Sequence, residues 1–154
     1  MRLLIFHVDA FTCTITEKGR SAVVEPPHPA SGHIENGLLV LAAAEAGDEG
    51  HSGEVASDTA AEVAKLARQL KVGEVMLLPF AHLFVEPAPA RDAIAIMDAA
   101  AERLRGSGLE VQRAPFGWFT SWELKAKGHP LSRVARTIRP PSPQPSPRGR
   151  GGRA

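Results

Sequence analysis

The chain has 154 residues, 44% of them hydrophobic and 23% charged, the size and balance of one ordinary globular domain. Its 18 basic and 17 acidic side chains are unevenly placed: residues 140–154 hold three arginines and no acid, so the body carries a net charge of about −2, which excludes a domain drawn to nucleic acid by bulk positive charge. Cys13 stands alone, excluding an intramolecular disulfide or a cysteine-rich zinc site, and no apolar run approaches the ~20 residues of a membrane helix. The opening segment turns polar at His7, too early for a signal peptide, so a reducing cytoplasm is the expected location.

Residues 1–8 form a short apolar run rich in strand formers and predict a buried strand. Alternation over 11–15, the turn signal Lys18-Gly19-Arg20 and residues 22–25 predict a hairpin after it, and Pro26-Pro27-His28-Pro29 with Ser31-Gly32 predicts a loop. The run 37–45 is apolar enough for a central strand, although its alanines also suit a helix; the three glycines of 47–53 make a flexible link. From Glu54, residues Val55, Ala60, Val63, Leu66, Ala67 and Leu70 describe one helical face closed by Gly73, and 74–78 form a buried strand stopped by Pro79. Pro87 and Pro89 precede a second helix over 90–105, with Ile94, Met97, Ala101 and Leu104 at helical spacing and Gly106 and Gly108 as the stop. Residues 109–113 and 118–126 read as strands about Ala114-Pro115-Phe116-Gly117, and Pro130 opens a short amphipathic helix through Leu131, Val134 and Ala135. The body ends near Arg139. The five prolines, three glycines and three arginines of 140–154 have nothing apolar to bury and predict a disordered tail, an adventitious extension or a weak RNA-attracting arm.

His7 and Asp9, two apart at a strand end, would share a side and with His82 or His129 would make a His/Asp metal set; the spacing is unspecific, and polar structural roles are the stronger reading. No motif supports a metal, ATP or another cofactor. Cys13, on an alternating strand without an activating partner, reads as a small buried side chain. Nucleophile elbow, phosphate loop and dinucleotide fingerprint are all absent. Three blocks remain: Pro79-Phe80-Ala81-His82-Leu83, just past a strand end where α/β sheets place ligands; Ala114-Pro115-Phe116-Gly117-Trp118-Phe119; and Lys127-Gly128-His129-Pro130-Leu131. Each alone reads as turn residues around core aromatics.

In that order and spacing, with the opening Met1-Arg2-Leu3-Leu4-Ile5-Phe6-His7-Val8-Asp9 and the ending Ser132-Arg133-Val134-Ala135-Arg136-Thr137-Ile138, the blocks resemble the N-terminal editing domain of archaeal-type threonyl-tRNA synthetases. The resemblance covers residues 1–139, leaving 140–154 as the tail. It implies an α/β fold of the D-aminoacyl-tRNA deacylase type, with a mixed or antiparallel sheet packed by two main helices and the short C-terminal helix, and it implies a homodimer. It also implies ester hydrolysis: removal of serine mischarged onto threonine tRNA. As the chain stops short of a synthetase catalytic domain, the expectation is a freestanding deacylase acting in trans, with the 3′ end of aminoacyl-tRNA as substrate and the synthetase as a partner. In the family the ribose hydroxyl beside the ester helps to activate water, and backbone groups hold much of the substrate.

Carried over by position, His82 keeps the family residue near the ester, and Pro79, Phe80 and Ala81 with Ala44 match the segments around the terminal adenosine and acyl group. The family's lysine, after two aromatics, corresponds to Thr120, preceded by Trp118 and Phe119, and the acidic residue four beyond the Gly-His-Pro histidine corresponds to Arg133. The resemblance thus nominates His82 and Thr120 as catalytic positions and Ala44, Pro79, Phe80, Ala81, Phe119 and Arg133 as substrate-binding ones. Lys125, five beyond Thr120 on a strand, should face away, while Lys127 should meet phosphate or a nearby carboxylate. The two changed charges keep open a noncatalytic RNA- or nucleotide-binding module and a deacylase of different acyl specificity.

Overall fold

The computed structural model describes residues 1–83 and 86–140; of the predicted tail, 141–154 lie outside the described residues. The apolar opening and the alternating segment after it are one strand, β1 (Arg2–Lys18), whose hairpin partner is β2 (Ser31–Ala43). This corrects the expected hairpin onto 22–25, a segment that forms no strand: the connection is a long loop, and β2 starts six residues before the run that announced it. After a 3₁₀ turn (Asp48–His51) come α1 (Ser52–Leu70), β3 (Glu74–Pro79), α2 (Ala90–Gly106), β4 (Glu110–Arg113), β5 (Trp118–Ala126) and β6 (Arg133–Thr137). The link expected over 47–53 therefore holds the 3₁₀ turn and the start of α1. Helix α1 ends at left-handed Lys71, φ 54°, with the Val72 N–H returning to Ala67 O, before Gly73 is reached.

The sheet runs β4-β3-β2-β1-β5, with β2, β3 and β4 parallel and β1 antiparallel to β2, β5 and β6. Strand β6 replaces the helix expected from Pro130. The spacing of Leu131, Val134 and Ala135 suits a helix, but β5 covers β1 only from Val8 onward, and the backbone of Arg2–Phe6 would otherwise lack partners on that edge. Strand β6 fills it, in the register Arg2↔Thr137 to Phe6↔Arg133.

Leu3 and Ile5 of β1 and Leu38 and Val40 of β2 pack beneath the helices against Val55, Val63, Ile96, Met97 and Leu104. Simple alternation would place Phe11 and Ile34 on the same side. Instead they join Leu39, Leu41, Met76 and Leu78 on the opposite face. The reversal occurs at Asp9, an extra residue relative to β5, and at Asn36, φ 42°, while the β1–β2 register is identical on both sides, Val8↔Gly37 and Ala10↔Glu35. Beyond this break the ribbon curls over the face the helices leave open. Gly32 lies so close that a Cβ there would stand 2.6 Å from Met76 Cε, and Gln112 clasps the His33 backbone by bonds of 3.1 and 2.6 Å. Among the described residues no helix is long and apolar enough to cross a membrane.

Candidate active site

The pairing of the parallel strands β2 and β3 closes at Ala42 beside Pro79, and a cavity of about 290 Å³ opens beyond them, near the lower end of the ~300–1,000 Å³ usual for small-molecule sites. Its floor is Ala42, Ala43 and Ala44; the segment from Leu78 to His82 forms one wall, and Phe116 to Thr120 with Trp122 the other. Ala93 and Met97 of α2 close the back, and the turn Gly19-Arg20-Ser21 after β1 reaches the mouth.

Of the eight positions nominated from the sequence, seven line this cavity: Ala44, Pro79, Phe80, Ala81, His82, Phe119 and Thr120. Arg133 does not; it is exposed on β6, opposite Phe6. His82 is exposed, its ring edge-to-face with Phe80 at 5.3 Å. Phe80 donates its N–H to Ala42 O at 2.9 Å, and among the described residues no protein acceptor takes the N–H of Ala81 or His82. Ala44 is buried and presents backbone, its carbonyl accepting the Ala88 N–H at 3.1 Å.

The Thr120 hydroxyl accepts a 2.7 Å bond from Trp122 Nε1, so this position holds an indole where a charge was expected. Lys125 pairs with Ala10 and lines no part of the cavity; both bulges lie in β1, so the alternation of β5 is regular between Thr120 and Lys125. Lys127 donates to Asp9, and that hydrogen bond, helped by the lysine's charge, holds the carboxyl below the usual range. His7 and His129 also lie apart from the cavity. The Leu131 N–H donates to His129 Nδ1, which leaves His129 Nε2 to donate to His7 Nδ1 at 2.8 Å and His7 Nε2 to donate to Asn36 Oδ1 at 3.2 Å. Among the described residues no three His, Cys, Asp or Glu side chains are grouped to hold a metal ion. Cys13 is buried, which pushes its thiol up and keeps it neutral.

A support that sequence reading missed fixes the aromatic wall. Glu25 takes both arms of the Arg113 guanidinium and the Phe116 N–H, while its own carbonyl accepts Trp118 Nε1 at 2.8 Å. Burial would raise the Glu25 carboxyl, but the Arg113 and Phe116 bonds outweigh it and hold the group below the usual carboxylate range. Separated by 88 positions, Glu25 and Arg113 carry no local signal of each other.

Residues 1–138 match the family described as the archaea-specific editing domain of threonyl-tRNA synthetase. The chain belongs to that family. It is 39% identical over 141 residues to a threonine-tRNA ligase of Methanosphaerula palustris, covering 91% of this chain, and 36% identical over 140 residues to that of Thermofilum pendens, again covering 91%. The match spans only 23% of the length of each ligase. The solved structure of a c-Myc DNA Unwinding Element Binding Protein superposes with a TM-score of 0.60 at 12% identity, covering 92% of this chain and all of that one; it shares the fold. The D-aminoacyl-tRNA deacylase-like fold expected for the editing-domain family, a mixed sheet packed by two main helices, is the fold observed, without the C-terminal helix.

Proposed function

We propose that this editing-domain chain hydrolyses the ester of mischarged aminoacyl-tRNA, with seryl-tRNA on threonine tRNA as substrate, and that it does so in trans. The observation that supports the reading is the cavity itself: small, aromatic-walled and, among the described residues, free of acidic side chains in its lining and bordered by His82 and by two backbone N–H groups that no protein acceptor takes. Phe119, 53% exposed, offers a face on which the terminal adenine stacks. Water attacks the ester carbonyl, the N–H groups of Ala81 and His82 receive the oxyanion, and the ribose oxygen leaves with a proton as free tRNA and serine separate. The chemistry meets a physical need: a synthetase site cannot strongly exclude serine, which lacks one methyl worth about 1–3 kcal/mol, so a second sieve is required.

The deciding experiment is single-turnover hydrolysis of seryl-tRNA and threonyl-tRNA, both on threonine tRNA, against a no-protein control. Faster loss of serine supports the proposal; no acceleration of either rejects it. A second reading, a binding module without turnover, draws on the Thr120 hydroxyl being committed to Trp122 and Arg133 lying off the cavity. It predicts tRNA 3′-end binding without ester loss. The implied homodimer belongs to the same proposal, and sedimentation equilibrium would give twice 16.4 kDa if it forms.

A further inference from the structure

Arg20 is the single Lys or Arg among the described residues that line the cavity, and no Asp or Glu lines it beside Arg20. The side chain is exposed, and no carboxylate among the described residues pairs with it. Its backbone is firmly placed. Lys18 is in register with Trp118, and the Gly19 N–H donates to Gly117 O at 2.7 Å. A Cβ at Gly19 would itself stand 2.7 Å from that carbonyl oxygen, so only glycine allows the approach. Gly117 has φ 94° and lies against Val23 and Val24, which ties the turn to the block bearing Phe119 and Thr120. A guanidinium with no carboxylate partner among the described residues is thus carried at the cavity on a turn pinned to the block that bears Phe119 and Thr120.

We propose that Arg20 binds the phosphodiester on the 5′ side of the terminal adenosine. The inference rests on the deacylase reading above, in which the acyl ester enters the apolar cavity. An aminoacyl ester offers no anion of its own, and its amino group would not attract a guanidinium. The first negative charge along the RNA is the phosphate beyond the terminal ribose, and a cation at the mouth meets it once the nucleoside is seated. The turn after β1 therefore gives this chain a positive contact that β5 lacks.

The test uses two nonhydrolysable probes, 3′-deoxy-3′-seryl-amino-adenosine with and without a 5′-phosphate, titrated against the wild-type chain, Arg20→Ala and Arg20→Lys. Wild type should bind the phosphorylated probe about tenfold more tightly, Arg20→Ala should lose that preference while binding the unphosphorylated probe unchanged, and Arg20→Lys should keep part of it. On threonine tRNA carrying serine through the same nonhydrolysable 3′-amide, the slope of log affinity against log salt should fall by about 0.7 in Arg20→Ala. If wild type binds neither probe, the deacylase reading fails and Arg20 falls with it. If wild type binds both but shows no phosphate preference, or Arg20→Ala retains one, the Arg20 proposal is overturned while the deacylase reading stands. Equal weakening of both probes in Arg20→Ala would mark a structural role and likewise overturn it.

Discussion

His82 and Thr120 face one cavity but stand in different positions. His82 is exposed and, among the described residues, meets Phe80 in an edge-to-face contact, whereas the Thr120 hydroxyl already holds Trp122. Replacing His82 by alanine is expected to slow single-turnover deacylation about 10–100-fold without a change in melting temperature, since an exposed ring supports little packing. Thr120→Val leaves the half-buried Trp122 N–H without an acceptor and should cost about 1 kcal/mol in denaturant unfolding, while Thr120→Ser should cost less. Thr120→Lys restores a charge beside the aromatic wall; under the proposed function it preserves or raises turnover, and if neither His82→Ala nor Thr120→Lys alters the rate, these side chains play no part in the chemistry.

The block Ala114-Pro115-Phe116-Gly117 reads in the sequence as a turn, and it is one. Its rigidity comes from elsewhere: Glu25, in the loop between β1 and β2, clamps Arg113 and the Phe116 N–H together. Breaking this largely buried pair with Glu25→Gln or Arg113→Met should cost about 1–3 kcal/mol, with the larger loss from Arg113→Met because an ionised carboxylate is left unpaired. Either change should also lower kcat/KM for deacylation, as the wall carrying Trp118 to Thr120 loses its brace; unchanged stability and rate would show that the clamp is incidental. The strand-helix-strand core from β2 to β3 was legible because its apolar positions repeat at 3.6 or form unbroken runs. Strand β6 was not, because five residues with one half-buried valine carry no decisive period, and an open edge chose their conformation.

At the scale of the whole molecule, His7 marks the seam where the edge of β1 passes from β5 to β6. It accepts the Lys127 N–H, donates to Ser132 O and joins His129 to Asn36. Burial pushes its pKa down, with the Asn36 bond only partly opposing this. The folded chain therefore resists a proton that the unfolded chain accepts near pH 6.5, so the stability held by this group is complete above about 6.5 and is lost as pH falls below it. Thermal melts should be flat above about pH 7 and fall towards pH 5; His7→Asn should be less stable at neutral pH but show a shallower fall. An identical slope in the variant would remove His7 as the cause. This window lies above the range in which Glu25, held low by Arg113, takes up its proton.

Local pattern carried the two helices, the apolar runs within β2 and β3 and the order of the motif blocks, because periodicity and strand propensity act over a few residues; the start of β2 and its parallel pairing with β3 were not written there. It also carried the family resemblance, since the blocks keep their spacing along the chain. Tertiary structure alone decided three further things. The two ribbon strands reverse faces together at Asp9 and Asn36, β6 takes the edge of β1, and Arg20 is brought to the mouth of a pocket whose aromatic wall is braced by the distant pair Glu25 and Arg113. Each is settled by a contact between distant segments, a backbone edge needing partners or a charge needing its opposite, and no local pattern of residue types encodes where such a partner will lie.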